Sequence, residues 1–96
     1  MLFEINYKKG DIISIKLVTG EELIARYESE TETDITIDKP MTLQVGTQGV
    51  GISQFMLTMD MDSKVTISKH NCLVIAPTRK EMSDQYVNGT TGIAMP

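Results

Sequence analysis

The chain holds one cysteine, one histidine and no tryptophan, and each scarcity removes a class of protein. Cys72 has no second thiol with which to close a disulfide in the chain, which fits a reducing compartment. His70 and Cys72 are too few soft ligands for a zinc site. Strand geometry could put them on one face, but no third group is spaced to orient them as an activated nucleophile. Long apolar runs are missing too: the longest, Cys72 to Ala76, is far shorter than the roughly 20 residues of a membrane-spanning helix. The start, Met1-Leu2-Phe3-Glu4, lacks the basic and apolar regions of a secretion signal. The expectation is a cytoplasmic protein with no membrane association, no catalytic residues, no cofactor and no metal, in which the Asn88-Gly89-Thr90 sequon is a chance match.

Positive charge is also scarce. Nine basic residues face 13 acidic ones, for a net charge of -4. A protein that gains its affinity by neutralising phosphates over a broad surface is thereby excluded, and any nucleic-acid site must be a local patch. The acids are uneven, because Glu28, Glu30, Glu32 and Asp34 fall in one short stretch. This stretch reads as a solvated hairpin tip, with repulsion of nucleic acid or capture of a cation or a basic partner as the functional alternative.

What is present is enough apolar residue for one small core. With 96 residues, 41% of them hydrophobic, the chain has the size of a single domain over 1–96, and a core so small gains from association with further copies. The hydrophobic period is two almost throughout. Ile13, Ile15 and Leu17 alternate with polar residues, Thr19-Gly20 supplies a turn, and Leu23, Ala25 and Tyr27 continue, so this segment is expected to be a β-hairpin. A third strand is expected at Ile35 to Ile37, with Lys39-Pro40 forcing a kink before Leu43 and Val45 resume the alternation. Gly46-Thr47-Gln48-Gly49-Val50-Gly51 lacks the lysine of a phosphate loop and reads as a hairpin tip.

The run Phe55 to Met61 is expected to return as a strand, broken at Asp62-Ser63-Lys64, and Val65 and Ile67 begin another. Lys69-His70-Asn71 forms a tight turn with Asn71 suited to a left-handed position, and Cys72 to Ala76 reads as a last, more fully buried strand. After Pro77 the period changes. Thr78 and Glu81 have the spacing of a capping box, Met82 and Tyr86 lie one helical turn apart, and Gly89 suits a C-cap, giving a helix over about 79–88 behind a barrel over about 11–77. Asp60-x-Asp62 lacks the glycine and closing glutamate of a calcium loop. Met41, Met56, Met59 and Met61 suit either core packing or adaptable contact with a partner.

Two segments resemble a known family. Ile13-Ser14-Ile15-Lys16-Leu17-Val18-Thr19-Gly20, with Leu23 and Arg26-Tyr27-Glu28-Ser29 behind it, resembles the first signature of Sm-like proteins, closest to the bacterial RNA chaperones. Ser68-Lys69-His70-Asn71-Cys72-Leu73-Val74-Ile75-Ala76-Pro77 resembles the second, a Lys-His turn followed by an apolar strand and a proline. A further similarity is to short Sm-like proteins of tailed phages. The resemblance implies a mainly β fold: a small, strongly bent five-stranded open barrel of the Sm-like (SH3-like) type, here with a C-terminal helix. It also implies a homo-oligomeric ring of roughly five to seven subunits, closed by edge pairing of the fourth and fifth strands, with the Lys69-His70 turn facing the pore.

The chain departs from that family in two places. Where relatives carry Asp-x-Met-Asn or a base-stacking aromatic, this chain has Glu30-Thr31-Glu32-Thr33, which offers a base nothing to stack on. In place of the family's N-terminal helix, Leu2, Ile5 and Lys8 allow one short turn at most. The first function expected is a non-enzymatic ring that binds single-stranded RNA through Lys69, His70 and Asn71, with Lys39 as a further contact. The alternative is a structural or protein-binding ring without nucleic acid, and a polar turn of this kind also forms with no function at all.

Overall fold

The computed structural model describes residues 6–90, so the start Met1–Glu4 and the turn residues Leu2 and Ile5 lie outside it. Six strands and one helix follow in order: β1 (Ile12–Leu17), β2 (Glu22–Glu30), β3 (Asp34–Gly46), β4 (Gly49–Gln54), β5 (Lys64–Ser68), β6 (Cys72–Pro77) and α1 (Lys80–Thr90). All pairings are antiparallel, in the order β4-β3-β2-β1-β6, and β5 joins β3 beside β4 on the edge away from β2. The fold is therefore the mainly β, strongly curled sheet with a C-terminal helix that the sequence implied, with the fourth strand of the expected five divided into β4 and β5.

The curl follows from the connectivity. β5 and β6 lie at opposite ends of the path β5-β3-β2-β1-β6, and four strand gaps of about 4.8 Å would separate them by roughly 19 Å in a flat sheet. Only the 3₁₀ turn Lys69–Asn71 connects them, and at about 2 Å per residue it reaches roughly 8 Å. The sheet must close on itself to let the chain through. No pairing joins β5 to β6 among the described residues, so the barrel stays open between these two margins.

Side chains on the concave face form the main core: Ile13, Ile15, Leu17, Leu23, Ala25, Tyr27, Ile35 and Ile37 are all buried. A bulge then turns β3 over. Arg26 pairs with Asp38 but Ile24 pairs with Met41, so Lys39 and Pro40 together oppose one residue of β2. Lys39 has φ +50° and Pro40 is fully buried. The inserted residue reverses the faces, so that Met41 and Leu43, of the same parity as Ile35 and Ile37, point to the convex side. There they join Ile24, Ile52 and Met61 in a second cluster under α1, which buries Tyr86 completely and packs Met82 and Val87 partly. The kink expected at Lys39-Pro40 is this bulge.

Four local expectations fail. Phe55 to Met61 is not a strand: it is a looped segment, closed by the Met59 N–H on the Met56 carbonyl, with the Asp62 N–H donating to the Asp60 carboxylate. β6 is not fully buried, because as a sheet margin it leaves Leu73 63% and Val74 55% exposed. Asn71 is not left-handed, since Lys39 is the only non-glycine residue with positive φ among those described. Gly89 lies inside α1 rather than capping it, and a Cβ there would stand 3.4 Å from the Ile52 side chain, so its role is close approach to β4. Thr78 shares a 2.7 Å hydrogen bond with Ser14, which ties the start of α1 to β1.

Candidate functional site

Two turns meet at one end of the barrel. The first, between β2 and β3, is built by Thr31: its hydroxyl accepts from the Asp34 N–H at 3.0 Å and its own N–H donates to the Asp34 carbonyl at 2.8 Å. The second is Lys69–Asn71, where the Ser68 hydroxyl accepts from the His70 N–H at 3.2 Å and the Cys72 N–H closes on the Lys69 carbonyl. The Lys69 N–H donates to the Thr33 carbonyl at 2.8 Å, locking the turns together into one rim. At the far side, the Asn71 carbonyl accepts from the Val18 N–H at 2.9 Å.

The Lys69 side chain turns back along this rim rather than outward. Its ammonium donates to Glu30 Oε2 at 2.6 Å and to the Thr31 carbonyl at 2.5 Å. The other oxygen of Glu30 accepts from the Tyr27 hydroxyl at 2.9 Å. The Tyr27 ring is buried in the concave core and packs against Tyr7 with ring centroids 5.4 Å apart. Glu30 is therefore held on both sides. The hydrogen bond from Lys69 holds its carboxyl below the usual range, assisted by Tyr27. Burial, and then Glu30, push the Tyr27 phenol up to about 12. Burial also raises the Cys72 thiol, against the pull of Lys69, so the thiol is not activated.

Of the residues singled out in the sequence, Lys69, His70 and Asn71 come together on the rim, and His70 and Asn71 are exposed there. Lys39 does not join them. It stands five residues along β3 from Asp34, whose partner is Ser68, roughly 16 Å away at about 3.3 Å per residue. Its ammonium lies 3.7 Å from Asp38 and 4.0 Å from Asp62. The acidic stretch is not a bare hairpin tip. Glu28 pairs with Lys9 at 3.2 Å and Lys64 at 3.6 Å, and Glu30 with Lys69. The rim nonetheless carries one lysine against Glu30, Glu32 and Asp34, a local charge of -2 with His70 neutral.

Nothing in the sequence pattern pointed to the Tyr27–Glu30–Lys69 chain of contacts. Glu30 and Lys69 are 39 residues apart, and β2 carries a second bulge at Glu28 that brings Glu30 and Ile35 into register. Only the strand pairing reveals the contact.

Two other surfaces stand out. Among the described residues the outer edge of β6 is unpaired, and it bears the exposed Leu73 and Val74. On the convex face, an open groove of about 450 Å³ runs between the start of α1 and the β3–β4 hairpin, lined by Ile24, Leu43, Val50, Pro77 and Met82. No group of three or more potential metal ligands occurs among the described residues. Nor is any helix among them long and apolar enough to cross a membrane.

No family model matches the sequence, and no curated protein does either. The fold is shared with a crystal structure of a heptameric archaeal Sm protein, reported for its implications for the eukaryotic snRNP core. The two superpose with a TM-score of 0.51 and 14% sequence identity, over 73% of this chain and 88% of the archaeal one.

Proposed function

We propose that this chain, which has the Sm fold, works as a homo-oligomeric ring of roughly five to seven copies and serves as a structural or protein-binding scaffold. The observation that carries the proposal is the pair of bare margins. Among the described residues β6 exposes Leu73 and Val74 beside an unpaired edge, and the outer edge of β4 and β5 is likewise unpaired. An apolar open edge is a liability in a free monomer, and pairing β6 of one copy with β5 of the next satisfies both edges at once. The heptameric state of the archaeal neighbour supports this arrangement. The lone Cys72 supports a cytoplasmic setting, and the two signature-like segments support kinship with the bacterial and phage Sm-like proteins.

The scaffold reading ranks above nucleic-acid binding because the one lysine of the rim is paired with Glu30. A second reading, single-stranded RNA held at the rim by Lys69, His70 and Asn71, is favoured by the exposure of His70 and Asn71 next to that lysine. Lys39 does not contribute to such a site. One experiment separates the readings: native mass together with the ratio of absorbance at the nucleic-acid and protein maxima. With three tyrosines and no tryptophan the protein absorbs weakly, so even one bound oligonucleotide per ring is conspicuous. A ring free of nucleic acid supports the scaffold, a ring with nucleic acid supports the second reading, and a stable monomer sinks both.

A further inference from the structure

We infer that Glu30 is the residue that decides whether the rim accepts a phosphate, because it occupies Lys69 as an internal substitute for one. The inference rests on the ring reading, in which the rim lines a pore and one charge per subunit is repeated by symmetry.

The geometry supplies the argument. An ammonium has three donors, and Lys69 spends one on Glu30 and one on the Thr31 carbonyl. The carboxylate it meets is already fixed in place, since Glu30 Oε1 takes the Tyr27 hydroxyl at 2.9 Å and Tyr27 is anchored in the core. A fixed carboxylate on the same chain keeps its place next to Lys69 at no further cost in translational freedom, whereas a phosphate arriving from solution must lose that freedom to displace it. The phosphate must also approach Glu32 and Asp34, which lie on the same turn. The rim thus has the lysine that a phosphate contact needs and keeps it engaged.

Replacing Glu30 by glutamine removes the competing charge and leaves the ammonium without a counter-ion, held only by neutral acceptors such as the Thr31 carbonyl. Replacing Glu32 by glutamine removes an equal charge but leaves Lys69 where it is. The two variants separate release of Lys69 from a general fall in acidity.

The test is fluorescence anisotropy with a short oligouridylate at low salt on wild type, Glu30→Gln, Glu32→Gln and Glu30→Gln/Lys69→Gln, each with its native mass recorded. Expected is an affinity gain of about tenfold or more for Glu30→Gln and little for Glu32→Gln, with loss of the gain when Lys69 is removed too. The salt dependence should steepen by about one unit for each subunit that gains a phosphate contact. No gain in a ring of unchanged mass, an equal gain in Glu32→Gln, or a gain that survives loss of Lys69 overturns the inference. A monomeric mass in every variant would instead sink the ring reading. A measurement on the wild type covers the case where Glu30→Gln does not fold: Lys69 should acylate more slowly than Lys80, whose side chain is 85% exposed against 27% for Lys69. Equal rates would show that Glu30 does not hold the lysine.

Discussion

The buried hydroxyl of Tyr86 donates a 2.6 Å hydrogen bond to the carbonyl of Lys39, so the helix is fastened to the residue at which β3 changes face. A second contact, 3.3 Å to the Asp38 carbonyl, widens the attachment, and the Arg26 guanidinium lies 5.8 Å from the ring centroid.

Tyr86→Phe removes only the hydroxyl and leaves buried carbonyls short of a donor. It should cost about 1–2 kcal/mol. Tyr86→Ala also empties the space under α1 and should cost about 3–5 kcal/mol, a large share of the stability of a domain this size. Urea unfolding followed by circular dichroism checks both, and a Phe variant as stable as wild type would show that the bond to Lys39 contributes nothing.

Lys39 pays for its left-handed backbone with strain, because its Cβ crowds the following carbonyl, and its ion pairs with Asp38 and Asp62 are of the partly exposed kind that contribute little. Lys39→Gly should therefore leave stability unchanged or raise it by up to about 1 kcal/mol. Deleting Lys39 should abolish folding, because Met41 and Leu43 would turn into the concave core and leave α1 without its apolar seat. Thermal melts of the two variants test the pair of outcomes.

Val74→Lys and Leu73→Asp place charge at the outer edge of β6 without touching the concave core. Each should convert the proposed ring to monomer by native mass while the far-ultraviolet spectrum stays that of a folded sheet. The wild-type melting temperature should rise with protein concentration and that of the variants should not. Unaltered mass in both variants would place the subunit contact elsewhere.

All three tyrosines are shifted the same way. Burial raises Tyr7, Tyr27 to about 12, and Tyr86 above its ordinary value, with Glu30 adding to the rise at Tyr7 and Tyr27. A phenol whose folded value is raised stabilises fully below the unfolded value of about 10 and loses that contribution as the pH climbs through the folded one. Stability should thus decline from about pH 10 toward pH 12, and tyrosinate absorbance at about pH 11 should be well below that of the urea-unfolded chain. Tyr27→Phe should make the decline shallower. Coincident titration curves for folded and unfolded protein would contradict the burial of these rings.

Much of the sheet was legible in the sequence because alternation reports directly on which side of a strand is dry. Ile13, Ile15 and Leu17, then Leu23, Ala25 and Tyr27, needed nothing more. Alternation fails where the backbone breaks step. From Ile35 to Val45 the odd positions of β3 are mostly apolar, and only the pairing shows that Ile37 and Met41 face opposite ways across Lys39. The Phe55–Met61 segment alternates but lacks a neighbour to pair with, and it folds as a loop over the convex cluster through Met61. β6 has an apolar run typical of a buried strand, yet within one chain it is a margin. At the rim, composition located the Lys69–Asn71 turn but not its state, since the distance from Lys69 to Glu30 depends on two strand registers, β2 on β3 and β3 on β5, and a bulge.

The attachment of α1 to Lys39 spans 47 residues of sequence, and this has a consequence during synthesis. The concave core can assemble once β6 has left the ribosome, but the apolar back of β2 and β3 stays wet until Tyr86 emerges. At about 5–20 residues per second, Met41 waits a few seconds for its cover. For that interval the nascent chain shows water a sticky Ile24–Met41–Leu43 surface, the stretch a holding chaperone would be expected to seize first.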